Sequence, residues 1–198
     1  MAKQLIISVG REFGSGGHAI AEMIADELNI KLYDRNMLDD IARERNVDSK
    51  TFDEFDEKPR RFLFSRRVGE FSSSMEENLA DLQFNFIKEK ADAGESFVIV
   101  GRCAEHILKG REGVVSVFIL GDKEEKQKRI VNKYKLSEDE ALSKMSRHDK
   151  NRKNYHNSYC DQKWGDSRSY DLCINSSRLG LVGTKELIMD YIKKVEAL

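Results

Sequence analysis

The chain has 198 residues, a length typical of one compact domain, and a formal net charge of −1. Hydrophobic residues make up 39% of it, which suffices for one ordinary core. The near-zero charge argues against nucleic-acid or anionic-membrane binding, and no apolar run is long enough to span a bilayer. The amino terminus lacks the apolar stretch of a signal peptide, and the three cysteines match no zinc or redox spacing, so we expect a cytoplasmic protein with reduced thiols.

Short apolar or β-branched runs alternate with helix-like stretches along most of the chain. The runs predict five strands, over residues 5–9, 30–33, 97–100, 114–120 and 171–174. The stretches that follow them predict helices over residues 18–28, 36–45, 103–108, 123–134 and 185–195. This alternation favours an α/β fold, with a mostly parallel five-stranded sheet covered by helices on both faces.

Two segments interrupt the alternation, and we expect both to be additions to a single domain over residues 1–198. Residues 46–95 are long, polar and helix-like with an apolar face, so they predict a helical insertion. Residues 135–170 open with Ser137-x-x-Glu140, a capping-box pattern at the start of a helix, and then become basic and aromatic. This second segment predicts a basic lid.

A glycine-rich loop joins the first predicted strand to the first predicted helix. Four of the eight residues from Gly10 to Gly17 are glycine, which favours unusual backbone dihedrals or the close approach of a ligand. The free N–H groups and the positive dipole end of the following helix make such a loop an anion site. The standard phosphate-loop pattern Gly-x-x-x-x-Gly-Lys-Ser/Thr fits in no register, so the loop has no lysine for the β- and γ-phosphates.

A different fingerprint matches the same loop. The dinucleotide-binding pattern Gly-x-Gly-x-x-Gly/Ala fits residues 14–19, and Asp34 lies 20 residues after Gly14, where a dinucleotide fold has its ribose-binding acid. A dinucleotide-dependent oxidoreductase is therefore an alternative. The absence of a sixth predicted strand and the arginine-rich lid count against it.

Charged residues follow two of the predicted strands. Asp34 and Arg35 follow the second strand, and Arg102 follows the third. In an open parallel sheet, ligands bind outside the carboxyl ends of the strands, so these side chains should face the same crevice as the glycine-rich loop. A planar guanidinium suits bidentate recognition of phosphate there. Arg129 and the basic stretch 147–153 could clamp the charge that develops in phosphoryl transfer.

Four segments resemble the cytidylate kinase-like family: Gly10-Arg-Glu-Phe-Gly-Ser-Gly-Gly17, Leu32-Tyr-Asp-Arg35, Val98-Ile-Val-Gly-Arg102 and Tyr170-Asp-Leu-Cys-Ile-Asn-Ser176. Members of that family usually carry a similar loop in place of a lysine-bearing one. The resemblance spans nearly the whole chain. It implies a three-layer fold like that of P-loop NTPases, and ATP-dependent transfer of a phosphoryl group to a nucleoside monophosphate, CMP or dCMP.

The resemblance also implies roles for single residues. The donor phosphates would lie on Gly14, Ser15, Gly16 and Gly17. Apart from the resemblance, His18 at the start of the helix is a further candidate for phosphate contact, and Arg11 or Lys150 could replace the charge of the missing lysine. The acceptor nucleotide would meet Asp34, Arg35 and Arg102, with residues 46–95 as the acceptor-binding insertion. The catalytic or lid residues would be Arg129, Arg147, Asp149 and Arg152. Mg²⁺ would be held chiefly by nucleotide phosphates and water, with Ser15 as the nearest protein hydroxyl.

Two further functions stay open besides the oxidoreductase. Because the loop lacks its lysine, a nucleotide-binding or regulatory protein could keep the cleft without transferring phosphate. A kinase with a different small-molecule acceptor could use the same fold, since acceptor choice depends on the shape of the pocket formed by residues 35–95.

Overall fold

The computed structural model describes residues 3–45, 67–68, 71–72 and 75–196. Within these residues, five parallel strands form a central sheet. In spatial order the strands are β2 (Lys31–Tyr33), β5 (Phe97–Val100), β1 (Ile6–Arg11), β6 (Val114–Leu120) and β7 (Leu172–Asn175). The predicted α/β fold with a five-stranded parallel sheet is confirmed.

Helices cover both faces of this sheet. They are α1 (Gly17–Leu28), α2 (Met37–Arg45), α3 (Met75–Asp92), α4 (Ala104–Ile107), α5 (Lys123–Tyr134), α6 (Glu138–Tyr159) and α7 (Ser176–Glu196). The last helix begins well before the predicted residue 185 and is kinked at Gly180, whose φ of 68° is not helical. No helix among the described residues is long and apolar enough to cross a membrane.

The central strand explains why the sequence reads as short, unbroken apolar runs. Ile7 and Val9 point into one core cluster with α1 and α7, while Ile6 points into a second cluster with α2 and α3. Successive side chains of a strand point to opposite faces, and a sheet covered on both sides buries all of them. The neighbouring strand β5 is buried along its whole length for the same reason.

Most of the predicted insertion over residues 46–95 lies outside the described residues. Its described parts are a short antiparallel pair, β3 (Arg67–Val68) with β4 (Phe71–Ser72), and helix α3. Phe86 and Ile87 of α3 are buried in the second core cluster. This end of the insertion is therefore packed against the sheet.

Helix α6 occupies much of the segment predicted as a lid. Its capping box is confirmed, since Ser137 Oγ accepts the N–H of Glu140 and Glu140 Oε2 accepts the N–H of Ser137 at 2.8 Å. Ala141 and Met145 of this helix are buried with Ile130 of α5, and Phe13 of the glycine-rich loop packs against the same cluster. Helix α6 therefore lies next to that loop.

Candidate active site

The glycine-rich loop turns between β1 and α1 with its backbone in left-handed regions. Gly14 and Gly16 have φ of 85° and 84°, which residues with a Cβ rarely adopt. The carbonyl of Ser15 accepts a hydrogen bond from the buried Ser176 hydroxyl at 2.6 Å, so the start of α7 is hydrogen-bonded to the loop. The loop is thus fixed by a residue 161 positions away along the chain.

The Ser15 hydroxyl is committed to the loop itself. It donates to the carbonyl of Glu12 at 2.9 Å, and Ser15 is fully buried. In this structure the side chain that the resemblance offers to Mg²⁺ therefore points inward. A metal ion carried by a nucleotide would be held by phosphate oxygens and water, as P-loop enzymes commonly hold Mg²⁺ in part.

The start of α1 has the properties of an anion site. Its N-cap is Gly16, its first turn contains no acidic residue, and Ser15 Oγ accepts the N–H of Gly17 only at 3.4 Å. The first N–H groups of a helix have no partner within the helix, and they carry its positive dipole end. Such a terminus, reached through a glycine-rich loop, fits the phosphates of a nucleotide.

The predicted donor residue His18 and the predicted acceptor residue Asp34 contact each other. His18 Nε2 lies 2.7 Å from Asp34 Oδ2, and His18 Nδ1 lies 3.3 Å from Glu22. The hydrogen bond to Asp34 raises the pKa of His18, and the same bond lowers the pKa of Asp34. Asp34 Oδ1 also accepts the N–H of Asn36 at 2.8 Å. The pair joins α1 to the end of β2.

Replacing His18 with glutamine should destabilise the fold most in mildly acidic solution. The raised pKa of His18 makes its contribution complete below about pH 6.5 and lost as pH rises through the folded-state pKa. The lowered pKa of Asp34 makes its contribution complete above about pH 4 and lost as pH falls through the folded-state pKa. We expect a loss below about 1 kcal/mol near pH 5.5, because the imidazole is half-exposed, and a smaller loss above about pH 8.

Urea unfolding of the wild type, His18→Gln, Asp34→Asn and the double variant at both pH values measures this coupling. The double variant should lose little more than either single variant in mildly acidic solution. Losses that are equal at the two pH values, or fully additive, would contradict the ion pair.

Arg102 follows β5 in a turn of unusual backbone. Gly101, Arg102 and Cys103 have φ of 78°, 59° and 55°, and left-handed non-glycine residues are uncommon and concentrate at functional sites. The Arg102 side chain is only 3% exposed. Most arginine side chains are exposed at the protein surface, so this buried guanidinium at the carboxyl end of a central strand is unusual.

Arg11 connects the Arg102 turn to the glycine-rich loop. A Cβ on Gly101 would meet the Arg11 guanidinium, and a Cβ on Gly17 would meet the aliphatic part of the Arg11 side chain. The Arg11 side chain therefore lies between two segments that are predicted to bind different phosphates. Arg35, the third basic residue predicted here, is exposed at the end of β2.

Helix α5 brings two basic residues to the underside of the loop. Lys126 is buried, and its Nζ lies 2.7 Å from Glu12 Oε2, which also accepts the N–H of Gly121 at 3.2 Å. The Arg129 guanidinium donates to the carbonyl of Gly14. The structure therefore places the predicted Arg129 at the loop and adds Lys126, which the sequence did not single out.

Helix α6 contacts the loop from the other side through two predicted residues. Asp149 Oδ1 accepts the N–H of Phe13 at 2.6 Å, and burial raises the pKa of this carboxyl. Arg152 Nη1 donates to the carbonyl of Arg11 at 3.4 Å. His148 stacks on the Phe13 ring with centroids 4.2 Å apart. Arg147, also predicted to be catalytic, is exposed on this helix rather than at the loop contacts.

A sequence model of the cytidylate kinase-like family matches residues 6–178. The chain belongs to the cytidylate kinase-like family. The family suggested by the four segments in the sequence is thereby confirmed. The strand order β2-β5-β1-β6-β7 also differs from the dinucleotide-binding order, in which the second strand lies beside the first. Among curated protein sequences, none matches this member of the family significantly.

Solved structures share this fold. An uncharacterised protein from Eubacterium ventriosum is 41% identical with a TM-score of 0.77, over 96% of this chain and 99% of that chain. Shikimate kinase from Bacteroides thetaiotaomicron is 13% identical with a TM-score of 0.56, over 96% of this chain and 98% of that chain. Shikimate kinase from Acinetobacter baumannii, solved in complex with shikimate, is 13% identical with a TM-score of 0.55, over 96% and 94%. At this identity the two kinases show the fold alone, which is that of P-loop kinases.

Proposed function

We propose that this protein transfers the γ-phosphoryl group of ATP to a nucleoside monophosphate, with CMP or dCMP as the acceptor. One observation carries the proposal: the buried Arg102 turn and the glycine-rich loop meet through Arg11 at the carboxyl ends of β5 and β1. A donor on the loop and an acceptor phosphate on Arg102 would then be neighbours. Catalysis of phosphoryl transfer depends mostly on such positioning and on electrostatic stabilisation.

The donor nucleotide would lie on Gly14, Gly16, Gly17 and the start of α1. Their backbone N–H groups would face its phosphates, and no acidic residue of the first turn would repel them. Arg129 donates to the Gly14 carbonyl in this structure, so its guanidinium would lie beside phosphates bound on the loop. Mg²⁺ bound to ATP would neutralise charge on the β- and γ-phosphates.

The acceptor phosphate would lie on Arg102, with Arg35 at the mouth of the same crevice. A guanidinium binds phosphate through two parallel hydrogen bonds, which fixes the orientation of the acceptor oxygen. The low exposure of Arg102 strengthens this interaction because little water competes for the charge. Recognition of the base would fall to residues 46–95, as the family resemblance implies.

The lid residues would act by covering the donor. Asp149 and Arg152 hold the loop backbone at Phe13 and Arg11, so α6 is already anchored beside the phosphates. Exclusion of water by such a cover prevents hydrolysis of ATP in place of transfer. Arg147, exposed on the same helix, would have to turn inward to take part in catalysis.

Two observations favour alternatives to this proposal. The first favours a protein that binds nucleotide without activity, and the second favours a kinase with a different acceptor. The lysine that a P-loop normally places at the phosphates is missing, and the buried Lys126 is bound to Glu12, which suits a protein that binds nucleotide without transferring phosphate. The shikimate kinases that share the fold act on a small molecule that is not a nucleotide, so the acceptor panel must extend beyond nucleotides.

Purified protein with Mg-ATP and a panel of nucleoside monophosphates, with shikimate as a further acceptor, tests the proposal by chromatography of the products. We expect CDP or dCDP to form and chelation of Mg²⁺ to stop the reaction. Gly16→Ala should lower turnover, because its Cβ would collide with Leu181 and something at the start of α1 must shift. Gly110→Ala is the matched control, since Gly110 has a similar φ of 80° but nothing lies within 4 Å of an added Cβ.

If shikimate is the only acceptor that is phosphorylated, the acceptor named in this proposal is wrong and the proposed donor site still stands. Tight binding of ATP without turnover of any acceptor would show that the protein is a nucleotide-binding member of the family. Full activity of Gly16→Ala would remove the glycine-rich loop from the site.

A further inference from the structure

Two buried thiols pack against each other where helix α6 ends. Cys160 is the first residue after α6, and Cys103 stands directly before the short helix α4. Together with Tyr155 they form a buried cluster, in which the two thiols interact directly. Each cysteine lies at the end of a helix rather than inside one, so a small shift of either backbone leaves the helices intact. The proposed phosphoryl transfer makes no use of this contact.

Cys160 is the thiol of this pair that a small molecule can reach. It lines a cavity of ≈ 360 Å³ together with Glu105 and His156. Cys103 is only 3% exposed and lies outside the described wall of that cavity. A small oxidant in the cavity would therefore meet Cys160 first, with Cys103 in contact behind it.

The groups around Cys160 favour its thiolate, which is the reactive form of a cysteine. The Cys103 thiol lowers the pKa of Cys160 against the effects of burial and of the Glu105 carboxylate, and the His156 imidazole lowers it as well. Burial opposes the protonated imidazole, but Cys160 and Glu105, whose Oε1 lies 2.6 Å from His156 Nε2, raise the pKa of His156. The contact with Cys160 and burial raise the pKa of Cys103, so this second thiol keeps its proton.

We propose that Cys160 and Cys103 form a redox-sensitive pair, in which a hydroperoxide oxidises Cys160 and Cys103 then closes a disulfide with it. In the first step the Cys160 sulfur attacks one peroxide oxygen. The S–O bond forms, the O–O bond breaks, and the leaving hydroxide or alkoxide takes a proton from solvent. In the second step the Cys103 sulfur attacks the sulfenic sulfur, the S–S bond forms, and the departing hydroxide takes up the Cys103 proton as water. The two thiols lose one electron pair, which reduces the hydroperoxide to water or an alcohol.

The disulfide would join two parts of the candidate active site. Cys103 follows Arg102 directly, and α6 contacts the glycine-rich loop through Asp149 and Arg152. An accessible thiolate beside a second, resolving thiol is the arrangement of redox-sensing cysteines, whereas structural buried thiols are inert. In a reducing compartment such a disulfide is transient. The oxidation does not depend on the proposed function and holds whether or not the protein transfers phosphate.

Mass spectrometry of the oxidised full chain tests the pair directly. The protein is reduced, freed of reductant and treated with a small excess of hydrogen peroxide, and the remaining thiols are blocked with N-ethylmaleimide. We expect a disulfide between Cys103 and Cys160 that dithiothreitol reverses, and oxidation of Cys160 at least about tenfold faster than that of Cys173, since reactivity follows the thiolate fraction. A pair that stays reduced, a Cys160 that reaches the sulfinic acid without forming the disulfide, or a Cys173 that is oxidised as fast would overturn the proposal.

Variants assign the two roles. Cys103→Ser removes the resolving thiol, so Cys160 should accumulate as a sulfenic acid that dimedone traps. Cys160→Ser should leave Cys103 reduced under the same treatment, because Cys103 is protonated and nearly inaccessible. Cys173→Ser is the matched control, since Cys173 is a free, exposed thiol on β7 whose removal should leave disulfide formation unchanged. Oxidation of Cys103 at the wild-type rate without Cys160 would overturn the assignment. If either variant fails to fold, the mass spectrum of the wild type decides.

Discussion

Replacing Arg102 with alanine is expected to lower kcat/KM for the nucleoside monophosphate by roughly a hundredfold to a thousandfold. The side chain is 3% exposed and follows the central part of the sheet, where the acceptor phosphate would lie beside the donor. A charge that interacts with phosphate out of water contributes far more than the same charge at the surface. Steady-state rates with saturating Mg-ATP and varied acceptor measure the loss.

Arg111→Ala is the matched control for this substitution. Arg111 forms a surface ion pair with Asp92 at 2.6 Å, and its side chain is 36% exposed, so its removal should change activity little. Arg102→Lys keeps the charge but not the planar fork, and we expect it to recover only part of the rate. Equal activity in the Arg102→Ala and Arg111→Ala variants would remove Arg102 from the site.

The thermal midpoint and the affinity for ATP separate a local effect from a folding defect. If Arg102 acts on the acceptor, the alanine variant should still bind ATP at the loop with nearly the wild-type affinity. If the alanine variant fails to fold, Arg102→Lys carries the prediction through its reduced kcat/KM at unchanged ATP affinity.

The sheet could be predicted from the sequence because its strands are buried on both faces. All four residues of β5 are buried, and an unbroken apolar run of that length between helix-like stretches has few other interpretations. The elements with mixed exposure were harder to predict. The end of α6 at Tyr159 has no clear signal, because no glycine or proline interrupts the basic stretch after Arg147.

The candidate site could be predicted where it follows the topology of the sheet. The glycine-rich loop and Arg102 come directly after strands, and the carboxyl ends of parallel strands form one edge. Contacts between distant segments had no such signal. Lys126 meets Glu12 across 114 residues, and Ser176 meets Ser15 across 161, so neither partner is marked by local spacing.

The ion pair between Lys126 and Glu12 bears on the missing loop lysine. The loop contains a carboxylate at Glu12, which would repel the phosphates of a nucleotide if it were not neutralised. Lys126 neutralises it from α5, with its Nζ at 2.7 Å and its side chain 10% exposed. The only lysine ammonium bound to the loop in the described part of the chain thus arrives from another helix.

Replacing Lys126 with methionine is expected to lower turnover by roughly a hundredfold and weaken ATP binding. The variant removes a positive charge beside the loop and exposes the phosphates to Glu12. It should also destabilise the protein by roughly 3 kcal/mol, because it leaves a largely buried carboxylate without its partner. Isothermal titration with ATP, steady-state kinetics and thermal unfolding measure the three effects. Lys128→Met is the matched control, since Lys128 is exposed on the same helix and pairs with Glu125.

The double variant Lys126→Met with Glu12→Gln separates two ways in which Lys126 could act. Removing both charges leaves no unpaired carboxylate, so most of the lost stability should return. If Lys126 supplies the charge that the loop lacks, turnover stays low in the double variant, because no ammonium remains near the transferred phosphate. If Lys126 serves only to neutralise Glu12, turnover returns with stability. We expect the first result, since Arg129, the other basic residue of α5 at the loop, is bound to the Gly14 carbonyl and the donor phosphates need more than one cation.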